Sequence, residues 1–164
     1  MNIRFLIPWL ALGLLAAGGC SKAYETKVFT DFNPSAEFSS FHTFAHSGMT
    51  DRGIEIAASD NKSPVRMRIK EMVNEQLAAK GLRHVGLEDR PDLLVHLAFG
   101  LNEADKYKEA ILVVNLAESS KKKTVWRAVI TETVGDSLEK NFEMVNKGVA
   151  KAFNDYPPVT GQMK

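Results

Sequence analysis

The sequence predicts an α+β fold, a largely antiparallel sheet with two amphipathic helices packed on one face. Three observations predict it. Two segments, opening near Ser63 and near Asp136, repeat their apolar residues at helical spacing. Other runs alternate apolar and polar residues with a period of two, the pattern of strands buried on one side. The last two runs are joined by the short polar link Glu118-Ser119-Ser120-Lys121-Lys122-Lys123, and a connection of that length joins antiparallel neighbours. Neighbouring strands with few crossovers belong to α+β layers.

The N-terminus sets how much of the 164-residue chain is left to fold. Arg4 gives a short positive region, and Phe5 to Ala17 is an uncharged apolar run ending in small residues, the layout of a secretory signal peptide. The run falls short of the roughly 20 apolar residues that a spanning helix needs. Ala17-Gly18-Gly19-Cys20 then resembles a bacterial lipobox, in which the cysteine is acylated and becomes the new N-terminus. Ala17 stands where such a motif usually has leucine, so cleavage by an ordinary signal peptidase is the alternative.

Cys20 is the sole cysteine, so no disulfide can form. A lone thiol in an oxidising compartment is an unfavourable arrangement that acylation removes. Lipidation of Cys20 is therefore the expected modification, and two or three acyl chains at about 0.8 kcal/mol per buried methylene hold a protein on a membrane. Residues 1–19 are read as the cleaved leader, 20–26 as the lipidated cysteine and a polar tether, 27–158 as one domain and 159–164 as a frayed tail.

The strands and helices follow in order. Lys27 to Phe32 has strand composition and ends at Asn33-Pro34-Ser35. Phe41 to Ala45 reads as a second short strand that packs Phe38, Phe41 and Phe44 on a core. The polar stretch from His46 to Lys62 reads as a loop. Ser63 as N-cap and Pro64 as first residue open a helix whose Val65, Ile69, Met72, Val73 and Leu77 share a face, and Gly81 stops it. Leu82 to Val85, Asp92 to Phe99, Ala110 to Ala117 and Thr124 to Thr133 read as further strands. Asp136 and Glu139 have the spacing of a capping box, after which Leu138, Phe142, Val145, Val149 and Phe153 mark the buried face of a second helix. Pro157-Pro158 lies beyond its end.

The chemistry sought is mostly not found. Arg4 is the one charged side chain of the leader, so the mature part balances 20 acidic groups with as many basic ones. Neither nucleic acid nor anionic lipid is indicated by such a balance. His42 and His46 are four apart in an extended segment, hence more than about 13 Å apart along a strand. His84 and His96 could approach across neighbouring strands, but no acidic or thiolate ligands stand at metal spacing. No nucleophile elbow, phosphate loop or H-E-x-x-H motif occurs, and Gly81 to Gly86 lacks the middle glycine of a dinucleotide fingerprint. Lys121-Lys122-Lys123 reads as a solvated turn, with phosphate or lipid A contact as the alternative. Trp126 is expected in the core and Arg127 beside an acidic neighbour. No catalytic residue, cofactor or metal ligand is expected.

Phe41-His42-Thr43-Phe44-Ala45, Gly81, Pro91-Asp92-Leu93-Leu94-Val95, Val125-Trp126-Arg127 and Tyr156-Pro157-Pro158, in this order, resemble a family of bacterial envelope lipoproteins known as domain of unknown function 4136. The resemblance spans about Lys27 to Pro158. Two positions depart from the family pattern: His46 stands in place of a tryptophan, and Ala128 in place of a glycine. The resemblance implies a membrane-anchored α+β domain with no established activity and no catalytic residues to carry over. The expected function is a non-enzymatic binding or structural lipoprotein of the envelope, at the outer membrane facing the periplasm. Its expected partners are the membrane, through the acyl anchor on Cys20, and another envelope protein or a small ligand. An envelope hydrolase acting on lipid or peptidoglycan is the alternative.

Overall fold

The computed structural model describes residues 26–52, 64–104 and 107–158. Its strands are β1 Lys27–Phe32, β2 Thr43–Arg52, β3 Arg83–His84, β4 Leu93–Ala104, β5 Tyr107–Glu118 and β6 Lys123–Val134; its helices are α1 Pro64–Ala79 and α2 Leu138–Phe153. The strands form one sheet in the order β1-β6-β5-β4-β2-β3. Residues of both helices and of one sheet face make a single apolar core.

The sheet is mixed, so the largely antiparallel expectation holds only in part. β1, β6, β5 and β4 pair antiparallel, whereas β2 runs parallel to both β4 and β3. Helix α1 explains the difference. A chain that leaves β2 through a 16-residue helix returns to the start of the sheet, and the next strand then runs the same way. β2 is also longer than expected: residues 46–52, read as loop, continue the strand past a bulge between His46 and Gly48. The rest of that stretch, 53–62, lies outside the described residues, as does the Ser63 cap. At α2 the cap is Ser137, whose hydroxyl accepts from the Lys140 N–H at 3.4 Å, one residue after the expected Asp136.

Cross-strand rows show how the core is filled. Val95, Leu116, Trp126 and Phe32 form one row, Leu97, Val114, Ala128 and Thr30 the next, then Phe99, Leu112, Ile130 and Val28. The following row is Leu101, Ala110 and Glu132. Side-chain bulk therefore falls from the β5–β6 hairpin end to the β4–β5 hairpin end. A bulge at Leu116/Ala117 lets Val125 and Trp126 both turn inward, each 1% exposed. On α2, Gly148 allows close approach to the sheet: a Cβ there would stand 2.6 Å from Ile130 Cγ2.

Candidate functional site

The hairpin end of β5 and β6 is closed by aromatic rings. Trp126 lies 4.8 Å from Phe153 and 5.4 Å from Tyr156, centroid to centroid, and Tyr156 meets Phe38 edge-on at 5.9 Å. Tyr156 precedes a cis peptide bond to Pro157. Asp92, at the start of β4, holds the start of β2: its Oδ2 accepts from the His42 N–H at 2.9 Å, the Thr43 N–H at 2.9 Å and the Thr43 hydroxyl at 2.8 Å. Burial pushes the Asp92 carboxyl up, but these hydrogen bonds outweigh it and hold the group below its ordinary range. Trp126, Tyr156, Asp92, His42 and Thr43, which are among the residues that carry the family resemblance, thus act on packing and strand register.

A second cluster lies where β2, β3 and α1 meet. His46 Nε2 is 2.7 Å from Asn74 Oδ1, so Nε2 carries the proton and Nδ1 the lone pair; that Nδ1 is buried without a hydrogen-bond partner. Burial lowers the His46 pKa, opposed by the Asn74 bond and aided by the nearby Lys70 and His84 charges. The His84 ring lies 5.8 Å from that of His46. His84 therefore meets His46 across β2 and β3 and does not meet His96, which stands beside Gly48. Among the described residues, no group of three His, Cys, Asp or Glu side chains could hold a metal ion.

The opposite end of the sheet holds a cavity of about 320 Å³. Its floor is Leu101 and Ala110, where the small alanine leaves room that leucine fills elsewhere in β5. Ile69 of α1 and Phe142 and Val145 of α2 make the walls. Lys108, Asp136 and Leu138 stand at the rim, and Asn141 braces it by a reciprocal pair of bonds with the Gly135 backbone at 2.8 and 2.9 Å. Among the described residues, the lining contains no serine, threonine, cysteine or histidine. Such a pocket can hold an apolar group.

Next to the pocket floor, Glu132 is 1% exposed and its carboxylate oxygens make no hydrogen bond of good geometry. Burial raises its pKa, with Thr26 and Lys151 as the nearest polar support. Sequence reading missed this group because it sits at an inward position of an otherwise apolar alternation. The pocket was missed too, because Phe99 to Ala110 read as a connection; the inward Phe99, Leu101 and Ala110 were its legible signal.

Of the residues singled out in the sequence, Cys20 lies outside the described residues. Lys121 to Lys123 cap the β5–β6 hairpin, exposed, with Lys121 3.0 Å from Glu118 Oε1. Trp126 is core, and Arg127 faces Asp31 across β1 and β6. Gly81 follows α1 with φ of 87°, a helix stop. Among the described residues, no helix is long and apolar enough to cross a membrane.

A six-stranded mixed sheet with two helices over one face makes this a small α+β domain. The chain belongs to the family described as Domain of unknown function (DUF4136), whose model matches residues 28–158. No curated protein matches. Solved structures share the fold: PelC from Paraburkholderia phytofirmans, a dodecamer, is 14% identical over 78% of this chain and 94% of its own, with a TM-score of 0.52. A DUF4136 family protein from Bacteroides thetaiotaomicron is 13% identical over 80% of this chain and 96% of its own, with a TM-score of 0.56.

Proposed function

We propose that this protein is a lipid-anchored, non-enzymatic binding module of the cell envelope, held by acylated Cys20 at the outer membrane and facing the periplasm. The observation that carries the reading is the open-end pocket, which is apolar in its depth and polar only at its rim, the character of a site for a small or aliphatic ligand. The lipobox-like Ala17-Gly18-Gly19-Cys20 and the lack of any second cysteine support the anchor. The shared fold with a dodecamer adds self-association to the contacts to be tested.

The test is mass spectrometry of the chain purified from envelopes in detergent. The expected result is an N-terminal peptide beginning at acylated Cys20, with an apolar molecule released by solvent extraction. Changing Cys20→Ser should release the chain from the membrane fraction. An unmodified Cys20 would contradict the anchor, and turnover of an envelope lipid or peptidoglycan fragment would contradict the non-enzymatic reading.

A further inference from the structure

Resting on the anchor reading above, we infer that the open end of the sheet is a membrane-docking surface, with the pocket taking an acyl chain of the leaflet in which Cys20 is anchored. The geometry of the chain entry carries this. β1 is antiparallel to β6, with Lys27 opposite Thr131, so the chain enters the sheet level with Glu132, in the same row as the pocket floor residue Ala110. Lys151 fixes this entry by donating to the Thr26 carbonyl at 3.3 Å.

Two lengths decide which end meets the membrane. Ser21 to Thr26 spans at most about 20 Å when fully extended. From the level of Glu132 to the start of β6 at Lys123 is about 30 Å at about 3.3 Å per residue. The tether is shorter than the distance to the closed end, so a domain resting on the leaflet does so with its open end, and the Lys121 to Lys123 turn points away from the lipid.

The surface at that end suits the occupant. Leu138, the first residue of α2, is 60% exposed and lines the pocket. Apolar side chains at the rim of an apolar cavity lose water contact when they enter the acyl boundary of a leaflet. Phe142 forms a wall inside.

The experiment uses the lipidated chain in phospholipid vesicles whose acyl chains carry bromine, a contact quencher of indole emission. Trp9 is in the leader, so Trp126, 1% exposed at the closed end, is the built-in reference. Tryptophan is added by Leu138→Trp at the rim or Phe142→Trp in the pocket, with Ser120→Trp at the opposite hairpin as control. Both open-end reporters should lose most of their added emission, while Trp126 and Ser120→Trp keep theirs. Quenching of Ser120→Trp with a silent Leu138→Trp overturns the orientation. Quenching at Leu138→Trp alone, with Phe142→Trp unaffected in a chain of unchanged circular dichroism, overturns acyl entry. A chain whose intact mass shows no acyl group removes the anchor reading and this inference with it; an acylated chain without quenching overturns this inference alone.

Discussion

The two ends of one sheet are built from the same strands and differ in what fills them. At the β5–β6 hairpin end, Trp126, Phe153, Tyr156 and Phe38 close the space between sheet and helix, and Asp92 pins β2 to β4. At the other end the inward row shrinks to Leu101, Ala110 and Glu132, and the first turns of α1 and α2 stand around a pocket. The closed end has the packing that sets stability. The open end gives up some packing, and with it the protein keeps an apolar surface beside the chain entry.

The largest effect expected from this contrast comes from the aromatic end. Trp126→Ala should cost about 3–5 kcal/mol, as for a large ring removed from a well-packed core. Phe142→Ala, half-buried beside an existing cavity, should cost only about 1 kcal/mol. Urea titration followed by circular dichroism compares them, and equal costs would erase the difference between the ends.

Gly148→Ala is next, at about 1–3 kcal/mol, because its Cβ would stand 2.6 Å from Ile130 Cγ2 and 3.0 Å from Glu132 Oε1 under a helix packed on the sheet. The same titration reads it. An alanine tolerated without loss would mean that α2 can lift off the sheet near the pocket.

Asp92→Ala should cost about 1–3 kcal/mol at neutral pH, since it leaves the His42 and Thr43 donors without their acceptor. The folded-state pKa of Asp92 lies below its ordinary 3.8, so its contribution is present above that value and is lost as pH falls through the folded one. Removing it should flatten the acid limb of stability measured between neutral and strongly acid pH.

Glu132 works in the opposite sense. Burial raises its pKa above the ordinary 4.5, so stability is full below 4.5 and is lost as pH rises through the folded value. Glu132→Gln should therefore stabilise the protein at neutral pH and remove that dependence, a smaller change than the others and one that thermal melts at several pH values detect. A neutral-pH loss on this substitution would show that the ionised carboxylate has a partner.

How legible these features were depends on whether local rules set them. Helix α1 was readable because Pro64 and Gly81 mark its limits by backbone chemistry alone, and the core face of Ile69, Met72, Val73 and Leu77 follows from periodicity. Trp126 was readable as core for the same reason. The parallel pairing of β2 was not, because Phe44 and Leu93 alternate with their neighbours in the same way whichever direction the next strand runs. The meeting of His46 with His84 depends on that pairing and was hidden with it. The cap moved from Asp136 to Ser137 because Asn141 holds Gly135 and turns the chain one residue later. Leu138 had the spacing of a buried helix residue, yet it is exposed because the sheet beneath it stops at Val134.

Hydrogen exchange on the lipidated chain, compared between detergent-free vesicles and detergent micelles, tests the contrast most directly. In both, the amides of Thr43 and Arg83, held by Asp92 and the His42 carbonyl, should exchange more slowly than those of Gly135 and Asn141 at the pocket rim. On vesicles the protection of Gly135 and Asn141 should rise and that of Thr43 and Arg83 stay unchanged. Protection that rises at Thr43 and Arg83 and not at the rim would contradict the account, because the closed end would then be the one that meets the membrane.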